Sequence, residues 1–381
     1  MSLFCGSLSS EKFIFGQNPV TGTNTEIKFQ MKKILFLALL LSFSCKSDKS
    51  EKYETPEAKE FSSIEIENIF EDDSLSIRAI EIIGNNLAFA ANKGTFGLFN
   101  SQTGEMKTGV IKDGNYIPEF RAVASTNSDV FVLSVGSPAL LYKTGDSGQM
   151  ELVYHEDHEK VFYDSMIFWN DLEGIAMGDP TESCLSVIIT RDGGENWEKL
   201  NCSVLPEAAE GEAAFAASNS NIAVVGDKTW ILSGGKKSRV FYSPDKGKSW
   251  EVFETPLIQG KETTGGYSID FYDENKGIII GGDYTKPDDN SANKAITSDG
   301  GKTWDLIAEG QEPGYKSSVR YVPNSEGEYI LATGFTGISY STDGGEHWDQ
   351  LSDESFFTLR FLNDSTAYAA GKGRISRLNL K

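Results

Sequence analysis

A closed all-β ring, a seven-bladed β-propeller of four-stranded antiparallel blades, is predicted by three observations. An eight-residue unit, S/T-x-D-x-G-x-x-W, occurs four times: TRDGGENW at 190–197, SPDKGKSW at 243–250, TSDGGKTW at 297–304 and STDGGEHW at 341–348. Intact and decayed copies, marked by positions 102, 146, 192, 245, 299 and 343, recur every 44 to 54 residues, the period of a propeller blade. The segment after the last unit holds three strands, TLRFL, STAYAAG and RISRLNL, and an orphan strand, SSIEIENI at 62–69, precedes the first repeat. Pairing the two completes the last blade with the N-terminal strand and hides the edges of the ring.

Each unit reads as the turn of a β-hairpin, because alternating apolar residues lead into it (186–189, 240–242, 338–340) and follow its Trp. The Ser/Thr and Asp side chains accept bonds from the turn's own amides, and Gly supplies a positive φ. Trp197, Trp250, Trp304 and Trp348 bury large rings between neighbouring sheets. Asp192, Asp245, Asp299 and Asp343 have the look of paired catalytic acids, but their identical place in every repeat makes them structural. The unit resembles the BNR or Asp-box repeat of sialidases, sortilin-like receptors and photosystem II stability and assembly factors, which carry it on propeller blades. Seven blades is closer to the assembly factors than to the sialidases.

Composition agrees with one large β domain. The 381 residues are 39% apolar and 11% aromatic, with 38 glycines and 11 prolines separating short apolar runs. A net charge of −21 excludes nucleic acid as a general partner, since phosphate backbones demand a basic surface.

The chain divides into 1–30, an extension expected to be untranslated or non-native; 31–45, a signal; 46–61, a flexible tether; and the propeller, 62–381. MKKILFLALLLSFSC has a positive n-region, an apolar stretch far shorter than the roughly 20 residues of a membrane span, and a small-residue exit. This resembles a lipoprotein signal, with Cys45 the lipidated residue, although Ser42 stands where that family has an aliphatic one. A cleaved signal without lipid is the alternative. Either way the protein is expected to be exported to the cell envelope, periplasm or outer surface, a monomer touching membrane only through its anchor. Cys184 and Cys202 flank the first intact hairpin nine positions either side of Gly193, which makes them a cross-strand disulfide if they face one another, or two buried thiols in adjacent strands if a one-residue shift puts them on opposite faces.

Aligning the innermost strands of the blades, SIRAI, EFRAV, SVRYV and TLRFL, puts Arg78, Arg121, Arg320 and Arg360 at one equivalent position. Met166, Ala213 and Ile269 fill it in the other three blades. Half of the eight arginines thus occupy one arc, blades 6, 7, 1 and 2, of a strongly acidic chain. Guanidiniums converging on a channel mouth suit a bidentate anion, such as a carboxylate on a peptide, sugar or chain terminus. They also suit packing between blades, with heads bonded to loop carbonyls or to Glu81, Glu119 or Asp270. Loops before the inner strands bring Tyr116, Tyr163, Tyr267, Tyr315 and Phe356 to the same face. Turns after the second strands bring Asn92, Asp179, Asp283, Tyr284, Phe335 and Lys372.

Other signals fail. Gly235-Lys236-Lys237-Ser238 lacks the rest of a phosphate loop, His155 and His158 lack the spacing of a helical zinc motif, and residues 273–277 lack the later ligands of a calcium loop. No cofactor and no metal are expected. The leading expectation is a binding or assembly-type protein that holds an envelope protein segment, or a small anionic or carbohydrate ligand, on an arginine-lined face. A sialidase-type glycoside hydrolase, using Arg78, Arg121 and Arg320 with Tyr267 and Asp179, is the rival, and a purely structural interaction module is the third reading.

Overall fold

The computed structural model describes residues 61–145 and 148–381. The extension, the signal with Cys45, residues 46–60 of the tether and Asp146 lie outside the described residues. Every sheet of the described residues is antiparallel, and together they make seven four-stranded blades. The inner strands are residues 77–83, Phe120–Ser125, Tyr163–Phe168, Ile222–Val225, Thr264–Phe271, Ser318–Tyr321 and Thr358–Phe361, for blades 1 to 7.

One strand, Ile64–Ile83, serves two blades. Its first half pairs with the third strand of blade 7, Lys372–Leu380, from Ile64 opposite Leu380 to Glu71 opposite Arg374. Its second half pairs with Asn86–Ala91, from Ile77 opposite Ala91 to Ile83 opposite Asn86, as the inner strand of blade 1. The expected closure by the N-terminal strand is therefore present, and the same strand runs on without a break into blade 1. Phe61, assigned by sequence to the tether, is instead buried against Tyr329 and Tyr340 and belongs to the propeller.

Strand alternation sends successive side chains to opposite neighbours. In blade 3, Ile175 packs toward blade 4 and Ala176 toward blade 2. The result is one apolar cluster for each of the seven blade interfaces, the one between blades 7 and 1 included, so the ring has no open seam. Blade 4 corrects the sequence alignment. Its inner strand is Ile222–Val225, and Ala213 lies in a two-residue strand, Glu212–Ala213, beside Gly234–Gly235 at the edge of the blade 5 sheet. The 18 residues between Pro206 and Val225 carry no intact repeat, which is why the alignment slipped there.

The repeated unit turns blades 3 to 6 from their third strand to their fourth. In all four copies the Ser/Thr hydroxyl donates to the Asp carboxylate and accepts the N–H of the unit's Gly, at 2.7–3.0 Å. The carboxylate in turn accepts amides three or four residues on. Gly194 adopts φ 82°, and a Cβ there would sit 2.2 Å from the Phe131 ring, so both conformation and space require glycine. Each Trp leans on the preceding blade, as Trp197 does on Phe131 of blade 2. Cys184 and Cys202, just outside the first such hairpin, are joined by a disulfide with Cα atoms 5.4 Å apart.

Thr297→Val keeps the shape of one turn but strands the buried Gly301 N–H. It is expected to lower stability by about 1–3 kcal/mol in urea unfolding; an unchanged midpoint would contradict the role given to the hydroxyl.

Candidate functional site

Because the four strands of a blade alternate in direction, the repeated units lie on one face of the ring. The loops that lead into inner strands lie on the other, with the turns between second and third strands. A cleft of roughly 430 Å³ opens on that second face, between Arg78 and Arg121 on blades 1 and 2 and aromatic residues of blades 4 to 7.

Its floor is a segment that sequence did not anticipate. Before entering blade 4, residues 213–221 (AAFAASNSN) cross the ring. Ala216 and Ala217 offer carbonyls to Arg121 (3.2 Å) and Arg78 (3.4 Å), on blades 2 and 1. The Ser218 hydroxyl donates to Ser317 O of blade 6 (2.6 Å), and Ser218 O accepts the hydroxyl of Thr358 of blade 7 (2.8 Å). Asn219 donates to Val123 O of blade 2 and accepts the N–H of Met166 of blade 3, while its own carbonyl accepts Arg360 at 2.7 Å. Asn219 has φ 55°, a left-handed conformation that Asn tolerates better than most residues. The small side chains of the run allow it to pass through the channel.

The crossing segment divides the arginine arc. Arg360 is held by Asn219 O and Leu359 O and lies 3.4 Å from Glu81; burial, and next the Arg320 charge, push its guanidinium down to about 10. Arg320 donates to Ile269 O and to Ser220 Oγ and sits 3.5 Å from Asp270, whose carboxyl burial raises despite the Arg320 charge. Neither lines the cleft. The expected four-arginine site is thus corrected to two, because the other two already have acceptors in the channel. Arg121 pairs with Glu119 at 2.5 Å at the rim. Arg78 lies 4.0 Å above the Phe357 ring with no salt-bridge partner among the described residues, and burial, then Arg121, lower its pKa.

Two carboxyl groups sit beside this pair. Asp179, which lines the cleft, accepts the Ala214 N–H at 2.7 Å, and burial pushes it up to about 6. Asp164, on the inner strand of blade 3, is fully buried and neither oxygen has a hydrogen-bond partner among the described residues. Burial, then repulsion from Asp179, hold it well above the usual carboxylate range against the pull of Arg121. Asp283 is not part of the cleft. It accepts the Thr285 N–H and hydroxyl within its own turn, and those bonds outweigh burial and keep its pKa low. Tyr267 does line the cleft, with its hydroxyl donating to Thr263 O (2.9 Å) and burial raising its pKa.

The residues a sialidase-type site would need are not assembled. Arg320 is engaged in the channel, and the Tyr267 hydroxyl is bonded to a backbone carbonyl rather than a carboxylate. Among the described residues no group of three or more His, Cys, Asp or Glu is placed to hold a metal ion. Of the other face residues expected from sequence, Tyr315, Tyr284 and Phe335 line the cleft. Tyr163 is instead buried against Glu156, Phe356 is buried beneath Arg374, Tyr116 packs between blades 1 and 2, Asn92 accepts the Ser76 N–H, and Lys372 is exposed. Sequence reasoning missed Phe162 and Phe357, each one residue from a predicted aromatic, and a one-residue slip along a strand changes the side a residue faces. It also missed Phe215, whose only signal was the run of small residues around it.

The fold and cleft define a seven-bladed β-propeller with an arginine- and aromatic-lined recess opposite its repeated turns. The family model described as Sortilin-Vps10 (sortilin, neurotensin receptor 3) matches residues 185–330. No curated protein matches the chain in sequence. Among solved structures, YCF48 bound to D1 peptide superposes with a TM-score of 0.61 at 12% identity, covering 85% of this chain and 97% of that one. YCF48 from Cyanidioschyzon merolae superposes with a TM-score of 0.58 at 10% identity, covering 84% and 99%. At these identities the likeness is one of fold.

A carboxyl whose pKa is raised on folding loses stability as pH climbs from the usual carboxylate range to the raised value, since the native state holds the proton that the unfolded chain releases. Asp164→Asn removes that loss. Thermal melts should show the variant more stable than wild type at pH 8, with the gap closing toward pH 4; a gap independent of pH would contradict the assignment.

Proposed function

We propose that this protein is an exported binding or assembly-type propeller that holds an anionic segment of an envelope protein against Arg78 and Arg121. The observation that carries the reading is the cleft itself: two guanidiniums, one without a carboxylate partner, beside a wall of aromatic rings. Recesses lined by apolar rings with a few charged groups are the usual form of a binding site. Fixed guanidiniums select carboxylates by paired hydrogen bonds. The fold is shared with YCF48, which has been seen bound to D1 peptide, and a peptide partner on this propeller follows the same pattern.

The signal at 31–45 supports export and lipid attachment at Cys45, with the polar stretch after it as a tether that leaves the propeller in water near the membrane. The Cys184–Cys202 disulfide fits the same compartment, since such bonds persist where the surroundings are oxidising.

Affinity purification from the native envelope provides the test. Arg78→Gln and Arg121→Gln should each reduce recovery of the bound partner about tenfold or more, as expected for loss of a charged hydrogen-bond donor from a binding site. Lys107→Gln, on the exposed outer part of blade 1, should not. Equal recovery by all variants would overturn the reading.

A further inference from the structure

Four rings form a row along one wall of the cleft. Phe215, from the crossing segment, stacks on Tyr267 with centroids 3.8 Å apart and planes 4° from parallel. Tyr267 meets Tyr315 edge-on at 4.8 Å, and Tyr315 leans on Phe335 at 5.0 Å. The inner members are nearly sealed, Tyr267 at 2% and Tyr315 at 4% exposure, and with Ala217 they form an apolar cluster that belongs to none of the seven blade interfaces. The outer end is open: Phe335 is 40% exposed, and Tyr284, which lines the same cleft, is 46% exposed.

This open end is distinctive. Scattered exposed aliphatic residues are ordinary on a protein surface. Among the described residues, however, both exposed large hydrophobics that are aromatic open on this one cleft, whereas the aliphatic ones, such as Val110, Leu152 and Leu172, do not line it. A row of rings already packed face-to-face and edge-to-face offers its last member the same contacts to an incoming apolar group.

The charges narrow the choice further. Arg78 and Arg121 favour an anion, while Asp179 and Glu262 on the same lining oppose a highly charged one. A single carboxylate attached to an apolar group satisfies both conditions; a phosphate or a polar sugar leaves the ring row uncovered.

We infer that the partner segment presents an aromatic or other large apolar side chain next to its carboxylate, and that this side chain extends the ring row at Phe335 and Tyr284 while Arg78 and Arg121 hold the carboxylate. The inference rests on the anion-binding reading of the cleft and adds the part of the partner that sets specificity. Phe335 and Tyr284 are then specificity residues, and the two arginines supply the charge requirement.

Three small probes separate the two layers. The full chain is titrated with propionate, 3-phenylpropionate and 3-phenylpropionamide, and binding is followed by calorimetry or by NMR shifts. Expected is a 3-phenylpropionate Kd about three to ten times lower than that of propionate, the gain an added aromatic contact supplies. The neutral amide should bind at least about ten times more weakly than its acid. Phe335→Ser should bring the ratio of the two acids close to one. Equal binding of propionate and 3-phenylpropionate by wild type would overturn the ring-row inference and leave the arginine reading standing. An amide that binds as well as its acid would overturn the arginine reading, and failure of both acids to bind would overturn both.

Discussion

Four guanidiniums of like charge stand around one channel, and a single crossing segment bonds all of them, Arg78, Arg121 and Arg360 through its backbone carbonyls and Arg320 through the Ser220 hydroxyl. Buried cations without acceptors would be costly, and these are supplied by Ala216, Ala217 and Asn219. The arrangement accounts for the asymmetry of the arc. The segment enters ahead of blade 4, and blades 6, 7, 1 and 2 supply the arginine donors that receive it. Repeat symmetry is broken where the channel is filled.

That filling also creates the cleft. The crossing segment closes the ring's centre at the level of Ala216 and Ala217 and gives the recess its floor. Arg320 and Arg360 hold the segment and do not line the recess, whereas Arg78 and Arg121 touch it with one bond each and line the recess, Arg121 with its other donors on Glu119. Two elements keep the opening in shape: the strand Ile64–Ile83, which closes the ring, and the repeated turns, which brace every blade they occupy from the opposite face. The cleft and the repeated turns are thereby placed on opposite faces of the same ring.

The ring was largely legible in the sequence because it rests on local patterns. The S/T-x-D-x-G-x-x-W unit fixes a turn through contacts within eight residues, and alternation fixes which side of each strand is buried. Blade count and closure follow from spacing and from one unmatched strand. The cleft was legible only in part. Arg78, Arg121, Tyr267 and Asp179 are brought together on one face, but Asp283 is engaged in its own turn and two arginines lie in the channel. Phe162 and Phe357 were missed because face assignment at the start of a strand depends on a register that bulges shift, as between Met177 and Gly178 opposite Tyr163. The crossing segment was invisible for a different reason. AAFAASNSN has no period, and its conformation is dictated by partners 50 to 140 residues away in sequence.

The division of the arginines can be measured directly in the unliganded protein. Arg320→Met and Arg360→Met should each lower unfolding stability by about 3–5 kcal/mol, since each strands buried acceptors and a carboxylate in the channel. Arg78→Met and Arg121→Met should cost less than about 1 kcal/mol, having one weak channel bond apiece and, for Arg121, a pairing at the solvent-exposed rim. Equal losses across the four variants, or larger losses for Arg78 and Arg121, would contradict the account.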